Sequence, residues 1–358
     1  RGADVTNLLE FKKNFKNPNI IRLEQNYRST KNILKCASTL IDKNKNRYGK
    51  KLWSENEIGE KIIINGFWET KEEAIYTTDQ IEMLVSRKIE LSEIAILFRV
   101  AAHTRTFEER LISIGLSYKI IGGLRFYERK EIKDIIAYLR LINNLTDDLA
   151  FERVINVPKR GIGKTTLSKI SQIARLNNIS MFEASKKFTE ENRTKVNLEI
   201  KKFINNIINW KKIKKNFDHI ELTKVVLEDS DYIQFLEKEA KSSKNPESLS
   251  RIDNINEFIE SLKDFDNLEG FLEHVGLVME NIANTDQQSI SLMTMHGAKG
   301  LEFDYVFLAG WEEGVFPSQR SLDEAGNKGL EEERRLAYVA LTRARKKIQI
   351  SYVNQNRY

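Results

Sequence analysis

A single cysteine, Cys36, stands in 358 residues, so no disulfide can form within the chain. Its neighbours Ile33, Leu34, Ala37 and Leu40 fall at helical spacing, which makes Cys36 a buried small apolar residue by expectation. The four histidines, His103, His219, His274 and His296, are scattered without the spacing of metal ligands, so no metal site is expected. No apolar run approaches the ~20 residues that span a bilayer, and the first residues lack a signal peptide's charged-then-apolar layout. A soluble, cytoplasmic protein with no membrane partner is the expectation. With 41% hydrophobic and 31% charged residues the chain should be globular, and its length calls for two cores or one core with a large insertion. A net charge of +6 and a pI near 9.0 suit polyanionic partners, and a solvated lysine-rich surface explains them equally well.

A phosphate-binding P-loop is also missing, although one stretch imitates its end. Residues 157–166 read V-P-K-R-G-I-G-K-T-T. The pattern G-x-x-x-x-G-K-[ST] needs a glycine where this chain has Pro158, and a P-loop follows a buried strand. Asp148 to Ile155 instead spaces its apolar residues as a helix does. What remains is a Gly-Ile-Gly turn between two helices.

The residues present fall into three blocks. Up to about residue 124, Ile62-Ile63-Ile64 and Ile94-Ala95-Ile96-Leu97-Phe98 read as strands buried on both faces, with a helix between them from Glu72 to Val85. From about 130 to 283 the spacing is helical, as in Ile132, Ile135, Ile136 and Leu139 or Phe203, Ile204, Ile207 and Ile208, with a polar linker at Lys241 to Asn245. After Ser289, strands are expected at Ile290 to Met295, Tyr305 to Ala309 and Ile348 to Ile350, with a helix from Leu330 to Ala344. The expected fold is α/β: one parallel-sheet domain interrupted by a large all-α insertion, because neither flank alone has enough strands for a covered sheet. No internal repeat is visible.

Three stretches have residue types suited to chemistry. Leu23-Glu24-Gln25-Asn26-Tyr27-Arg28-Ser29-Thr30 sets an aromatic and an arginine between a strand and a helix capped by Ser29 or Thr30. Ligand sites in open α/β sheets lie at strand C-termini, where Tyr27 suits a base and Arg28 a phosphate. A packed tyrosine beside a surface arginine is the plainer reading. In Thr294-Met295-His296-Gly297-Ala298-Lys299-Gly300-Leu301-Glu302-Phe303, the glycines let a ligand approach closely. Thr294, His296 and Lys299 suit a nucleic-acid backbone, and Glu302 a ribose hydroxyl. An ordinary turn accounts for the same residues. The stretch Glu331 to Arg345 is acidic at its start and basic at its end, which a helix dipole explains completely, while Arg343 near its end suits an arginine finger.

In order and spacing these stretches resemble motifs IV, V and VI of superfamily 1 DNA helicases of the UvrD/Rep/PcrA type: Q-N-Y-R-S-T, T-M-H-G-A-K-G-L-E-F and E-E-E-R-R-L-A-Y-V-A-L-T-R-A. Gly122 to Asp134 resembles the family's G-G-x-x-F-x-x-R-x-E-I-K-D passage into its inserted subdomain. The resemblance covers essentially the whole chain. The family's P-loop and Walker B aspartate-glutamate are absent from these residues, and Arg1-Gly2-Ala3 resembles the tail of motif III. The implied protein is the C-terminal half of an ATP-dependent DNA helicase that translocates on single-stranded DNA and unwinds duplex, in DNA repair or replication. By itself this half is expected to turn over no ATP.

The resemblance further implies a RecA-like subdomain 2A, residues 1–124 and 285–358, and a helical subdomain 2B, residues 125–284. ATP would lie between 2A and the N-terminal RecA-like domain of the same parent protein, which would hold most of the Mg²⁺ contacts. Tyr27, with Gln25, falls to the adenine side, Glu302 to the ribose, and Arg28 and Arg343 to the γ-phosphate. Single-stranded DNA falls to Arg99 and His296, alongside Thr294 and Lys299. Relatives often carry R-T-N-A-Q-S-R where this chain has Arg99-Val100-Ala101-Ala102-His103-Thr104-Arg105. Ala101 therefore lacks the asparagine that touches DNA, so binding there is either weaker or supplied by His103. The turn from Pro158 reads as a helix-hairpin-helix: Gly161 and Gly163 offer backbone N–H groups, and Lys164 with Thr165 adds side chains, to duplex DNA at a single/double-strand junction. A turn that only packs two helices is the alternative there. For the whole chain, the rival is a non-enzymatic DNA- or partner-binding module that retains the motifs.

Overall fold

The computed structural model describes residues 21, 24–45, 52–190, 194–243, 247–281 and 288–354, so that Arg1-Gly2-Ala3, Leu23 and Asn245 lie outside the described residues. Those within Arg1–Gly123 and Thr285–Tyr358 form one compact unit, and those within Leu124–Asn284 form a second.

In chain order the first flank supplies α1 (Lys31–Ile41), β1 (Ile63–Phe67), α2 (Thr70–Ser86), β2 (Ile94–Phe98), α3 (Thr104–Ser113) and β3 (Tyr118–Ile121). The helical unit supplies α4 (Lys130–Asn143), α5 (Asp148–Val154), α6 (Lys164–Asn177), α7 (Met181–Glu190), α8 (Lys195–Ile213), α9 (His219–Asp229), α10 (Tyr232–Ser243), α11 (Glu247–Leu262) and α12 (Leu268–Asn281). The second flank adds β4 (Ile290–Thr294), β5 (Phe303–Leu308), α13 (Gln319–Leu341) and β6 (Ala344–Val353). Among the described residues, no helix is long and apolar enough to cross a membrane.

The strands form one six-stranded sheet in the order β1-β6-β5-β2-β4-β3, parallel at every pairing. Among the described residues each flank contributes three strands, and they interleave, so neither flank builds the sheet alone. The chain is thus α/β, a parallel sheet interrupted by an all-helical insertion. β2 lies inside the sheet, and all its residues are buried. Its side chains alternate between layers, as the strand period requires: Ala95 and Leu97 pack with Ile33, Ala37, Leu336 and Ala340, while Ile94, Ile96 and Phe98 pack with Ala74, Ile81, Phe107 and Leu111.

Several local expectations change. β3 is an additional edge strand; its short Tyr-Lys-Ile-Ile run gives too brief a signal by itself. α13 begins at Gln319, well before Leu330, and breaks at Gly326 (φ 52°, ψ −128°), a conformation glycine adopts without a Cβ clash; Ala344 already belongs to β6. The break divides α13 into two helical segments, and Glu331 to Glu333 lie close to the start of the second. Cys36 is exposed, because the core stripe of α1 is Ile33, Leu34 and Ala37, and Cys36 falls on its flank beside Lys35. Lys241 to Ser243 continue α10 instead of forming a linker.

The helical unit is held by edge-to-face aromatic contacts: Phe151 meets Phe182 and Phe203 at 6.4 and 6.0 Å, and Tyr138 meets Trp210 at 5.9 Å. The Gly122 to Asp134 stretch places buried charges that cross-link it. Arg129 donates to Asn254 Oδ1 (2.7 Å), Glu131 accepts from Asn254 Nδ2 (2.5 Å), and Asp134 accepts from Tyr232 (2.8 Å) and Arg153 (2.8 Å). α9 is capped by Asp218, whose carboxylate accepts from the Ile220 and Glu221 N–H groups at 2.9 and 2.7 Å. Asp218→Ala should lower stability by about 1 kcal/mol, seen as a small drop in the thermal midpoint with the fold retained.

Candidate functional site

One cluster forms where Gln25 to Thr30 lies across the strand starts. The Ser29 hydroxyl donates to Ala344 O at 2.7 Å, Thr30 N–H donates to Arg345 O at 3.2 Å, and Phe303 N–H donates to Arg343 O at 3.0 Å. The cluster thus sits at the N-terminal ends of β5 and β6, not at strand C-termini. Among the described residues before it, Gln25 makes an isolated bridge with Trp53 and no strand is formed. Thr30 is the N-cap of α1 by position, yet its hydroxyl is buried without a partner and Ser29 is spent on Ala344, so neither hydroxyl caps the helix. Asn26 Oδ1 accepts from the N–H groups of Arg28 and Ser29 at 2.8 and 2.9 Å, a turn that fixes where Arg28 leaves the backbone.

Tyr27 is 78% exposed, and its hydroxyl donates to Gln25 Oε1 at 2.7 Å. Arg28 Nε donates to Glu302 Oε2 at 2.5 Å and Nη1 reaches Thr342 O at 3.5 Å. Arg343 is 9% exposed and donates to Val339 O (2.9 Å), Leu301 O (3.0 Å) and the Thr342 hydroxyl (3.3 Å). Both guanidinium groups thus converge on Thr342. A guanidinium has five N–H donors, so these bonds leave donors free on each. Burial and the charge of Arg28 push the Arg343 pKa down. The hydrogen bond from Arg28, aided by its charge and that of Arg345, outweighs burial and holds Glu302 below the usual carboxylate range. Arg345 also binds Asp304 at 2.6 Å and pairs with Glu93. Two adjacent cations with unused donors, one carboxylate and an open aromatic ring match a polyphosphate joined to a sugar and a base.

A second cluster lies at the opposite end of the sheet. Met295 N–H donates to Phe98 O at 2.7 Å, so the turn after β4 lies beside the end of β2, and the 295–302 crossover runs back along the sheet to Glu302. The Thr294 hydroxyl accepts from Gly297 N–H at 3.2 Å, so Thr294 shapes the turn. Gly300 holds φ +95°, a value that favours glycine. His296 and Lys299 are exposed. Arg99 grips Glu333 with two prongs, Nε to Oε2 at 3.0 Å and Nη2 to Oε1 at 2.8 Å. His103 is 3% exposed, so its side chain is not open to a ligand in place of an asparagine at position 101.

Although its edge is open to solvent, partial desolvation of the ring and the positive charge of Arg99 hold the His296 pKa below its ordinary value. Protonation would add a cation to this face. Affinity for a single-stranded oligonucleotide should be insensitive to pH above the ordinary imidazole range, rise only as pH falls below it, and lose that rise in His296→Ala. Anisotropy titrations across pH check it.

The hairpin turn belongs to the other unit. Asn156 Oδ1 accepts from the N–H groups of Arg160 (2.8 Å) and Ile162 (3.2 Å), and Arg160 donates to the carbonyls of Val154, Ile155 and Val157 at 2.9–3.2 Å. Ile162 is buried, which points its neighbours outward. Gly161 holds φ +74°, and Gly163 is the N-cap of α6 with no side-chain acceptor over the first turn. Gly161, Gly163, Lys164 and Thr165 are all exposed.

The structure therefore gathers Gln25, Tyr27, Arg28, Glu302 and Arg343 at one end of the sheet, Arg99, Thr294, His296 and Lys299 at the other, and the hairpin residues in the helical unit. Among the described residues, no group of three or more His, Cys, Asp or Glu is placed to hold a metal ion. Asn26, Asn156, Thr342, Arg345 and Glu333 escape a sequence reading; only the asparagines, each just before a turn, give a local sign.

The profile of the UvrD-like helicase C-terminal domain matches residues 21–355. The chain is 49% identical over 362 residues to a probable DNA helicase II homolog of Rickettsia felis, covering 100% of this chain and 55% of that protein. It is 43% identical over 367 residues to the ATP-dependent DNA helicase PcrA of Bacillus subtilis (98% and 49% covered), and 40% identical over 365 residues to DNA helicase II of Escherichia coli (100% and 50% covered). The chain spans about half the length of the curated relatives it matches.

Proposed function

Since the chain belongs to the UvrD-like helicase C-terminal domain family, we propose that it is the C-terminal half of an ATP-dependent DNA helicase that moves along single-stranded DNA and unwinds duplex in repair or replication. The observation that carries this is the convergence of Arg28 and Arg343 on Thr342 beside exposed Tyr27. The sheet unit is read as subdomain 2A and the helical unit as 2B.

ATP, when bound, supplies the phosphoryl group whose transfer drives movement, with Mg²⁺ held mainly by a P-loop domain of the same protein. On this chain, Tyr27 stacks on the base and Gln25 steadies its ring. Glu302 accepts from the ribose, which loosens its hold on Arg28. Arg28 and Arg343 bring positive charge to the terminal phosphate as the cleft closes. Arg99, His296 and Lys299 meet the single strand, and the Gly161–Thr165 turn grips duplex phosphates through N–H groups and Lys164.

The chain should bind single-stranded and tailed-duplex DNA without sequence preference, with affinity falling roughly tenfold to hundredfold between about 50 and 200 mM salt. A salt titration checks it. No binding, or binding indifferent to salt, contradicts the reading.

A further inference from the structure

Glu333 is a buried carboxylate on the face read as the DNA side. Simple electrostatics makes such a charge a liability there, because it repels phosphate and partly neutralises Arg99. Yet it is 5% exposed and fully engaged: Oε2 accepts from Arg99 Nε (3.0 Å) and Ser318 N–H (3.1 Å), and Oε1 accepts from Arg99 Nη2 (2.8 Å) and the Ser321 hydroxyl (3.1 Å). Burial works to raise its pKa, and the hydrogen bonds and charge of Arg99, with the Ser318 and Ser321 donors, outweigh it and keep the carboxyl ionised.

A fork on Nε and Nη2 fixes the plane of the Arg99 guanidinium and leaves three of its five donors, including both on Nη1, pointing away from the carboxylate. The partners are 234 residues apart. Glu333 lies on α13, the helix that ends just before Arg343, so the group that orients Arg99 at one end of the sheet shares a helix with the segment holding Arg343 at the other. We propose that Glu333 is a positioning residue for DNA, holding Arg99 so that its free donors meet a single-strand phosphate. The inference rests on the reading of Arg99 as a DNA contact.

The test is anisotropy of a dye-labelled oligothymidylate against the whole chain, with salt varied, for the parent, Arg99→Ala, Glu333→Gln and the double variant. Glu333→Gln sets an amide N–H₂ against one prong of the fork. It should weaken binding about threefold to tenfold and lower the slope of log affinity against log salt by about 0.7, as Arg99→Ala does, a change that mere loss of stability does not produce. The double variant should bind no more weakly than Arg99→Ala alone, because Glu333 acts only through Arg99. Tighter binding by Glu333→Gln would mean that the carboxylate is only a repulsive charge, and additive losses would mean that it acts elsewhere; either overturns the proposal. Unchanged binding by Arg99→Ala overturns it at its base, by removing the DNA reading itself. Should Glu333→Gln show no cooperative thermal transition, Arg99→Lys makes the same test. It keeps the charge, loses the fork and should bind like Arg99→Ala; parental affinity would overturn the proposal.

Discussion

Alanine at either Arg28 or Arg343 should slow ATP turnover by roughly 10³-fold in a protein carrying this chain together with a P-loop domain, while single-strand affinity changes by less than about threefold. The two residues lie near opposite ends of the sequence, yet each bonds to Thr342. Burial and the charge of Arg28 both hold the Arg343 pKa down, so the paired cations carry a cost in the absence of an anion that a phosphate developing charge between them should relieve. Arg343 is already fixed by three bonds, so it needs little reorganisation. Arg28 is the more exposed of the two and is held by Glu302, so on the proposed reading it is the one that would move. Lysine at either position should rescue only partly, since a point charge cannot reproduce a planar two-pronged contact. Steady-state turnover and DNA titration on the same variants separate the two effects, and thermal midpoints control for the backbone bonds that Arg343→Ala also removes. Near-normal turnover in both alanine variants would mean that other residues face the phosphate.

The second large effect is expected at the hairpin. Lys164→Glu should weaken duplex affinity about tenfold by replacing an attraction with a repulsion, with single-strand affinity little changed. Gly161→Val should do the same through geometry. The backbone there holds φ +74°, and a β-branched residue in the left-handed region costs about 1–2 kcal/mol or more, enough to turn the N–H groups away from the phosphates. Gly163 is the less informative position: its φ is −89°, and a Cβ there meets nothing within 4 Å. Competition between duplex and single-stranded oligonucleotides measures both variants. Parental duplex binding by both would reduce the turn to a packing element.

Much of this is legible in the sequence because it is local or periodic. The all-buried run Ile94 to Phe98 announces a strand covered on both faces, and the helical spacing from Ile132 onward announces the insertion. The positions of Tyr27, Arg28, Glu302 and Arg343 are legible as motifs. That they sit at the start of β5 and β6 is not, because parallel crossovers such as 295–302 carry a motif from one end of the sheet to the other without any local sign. Glu333 reads as a dipole charge because nothing near it in sequence names Arg99 as its partner. Cys36 reads as buried because helical spacing fixes a face only to within a residue or so, and His103 reads as available because an exposed and a buried histidine look alike in sequence.

The sheet unit is proposed to supply half of an ATP site driven by DNA. The most direct measurement is ATP turnover, with and without single-stranded DNA, by a P-loop domain from a relative joined to this chain and by that domain alone. Turnover by the domain alone should be negligible and, once this chain is attached, single-stranded DNA should raise it at least about tenfold. Equal turnover with and without this chain, or turnover indifferent to DNA, would contradict it.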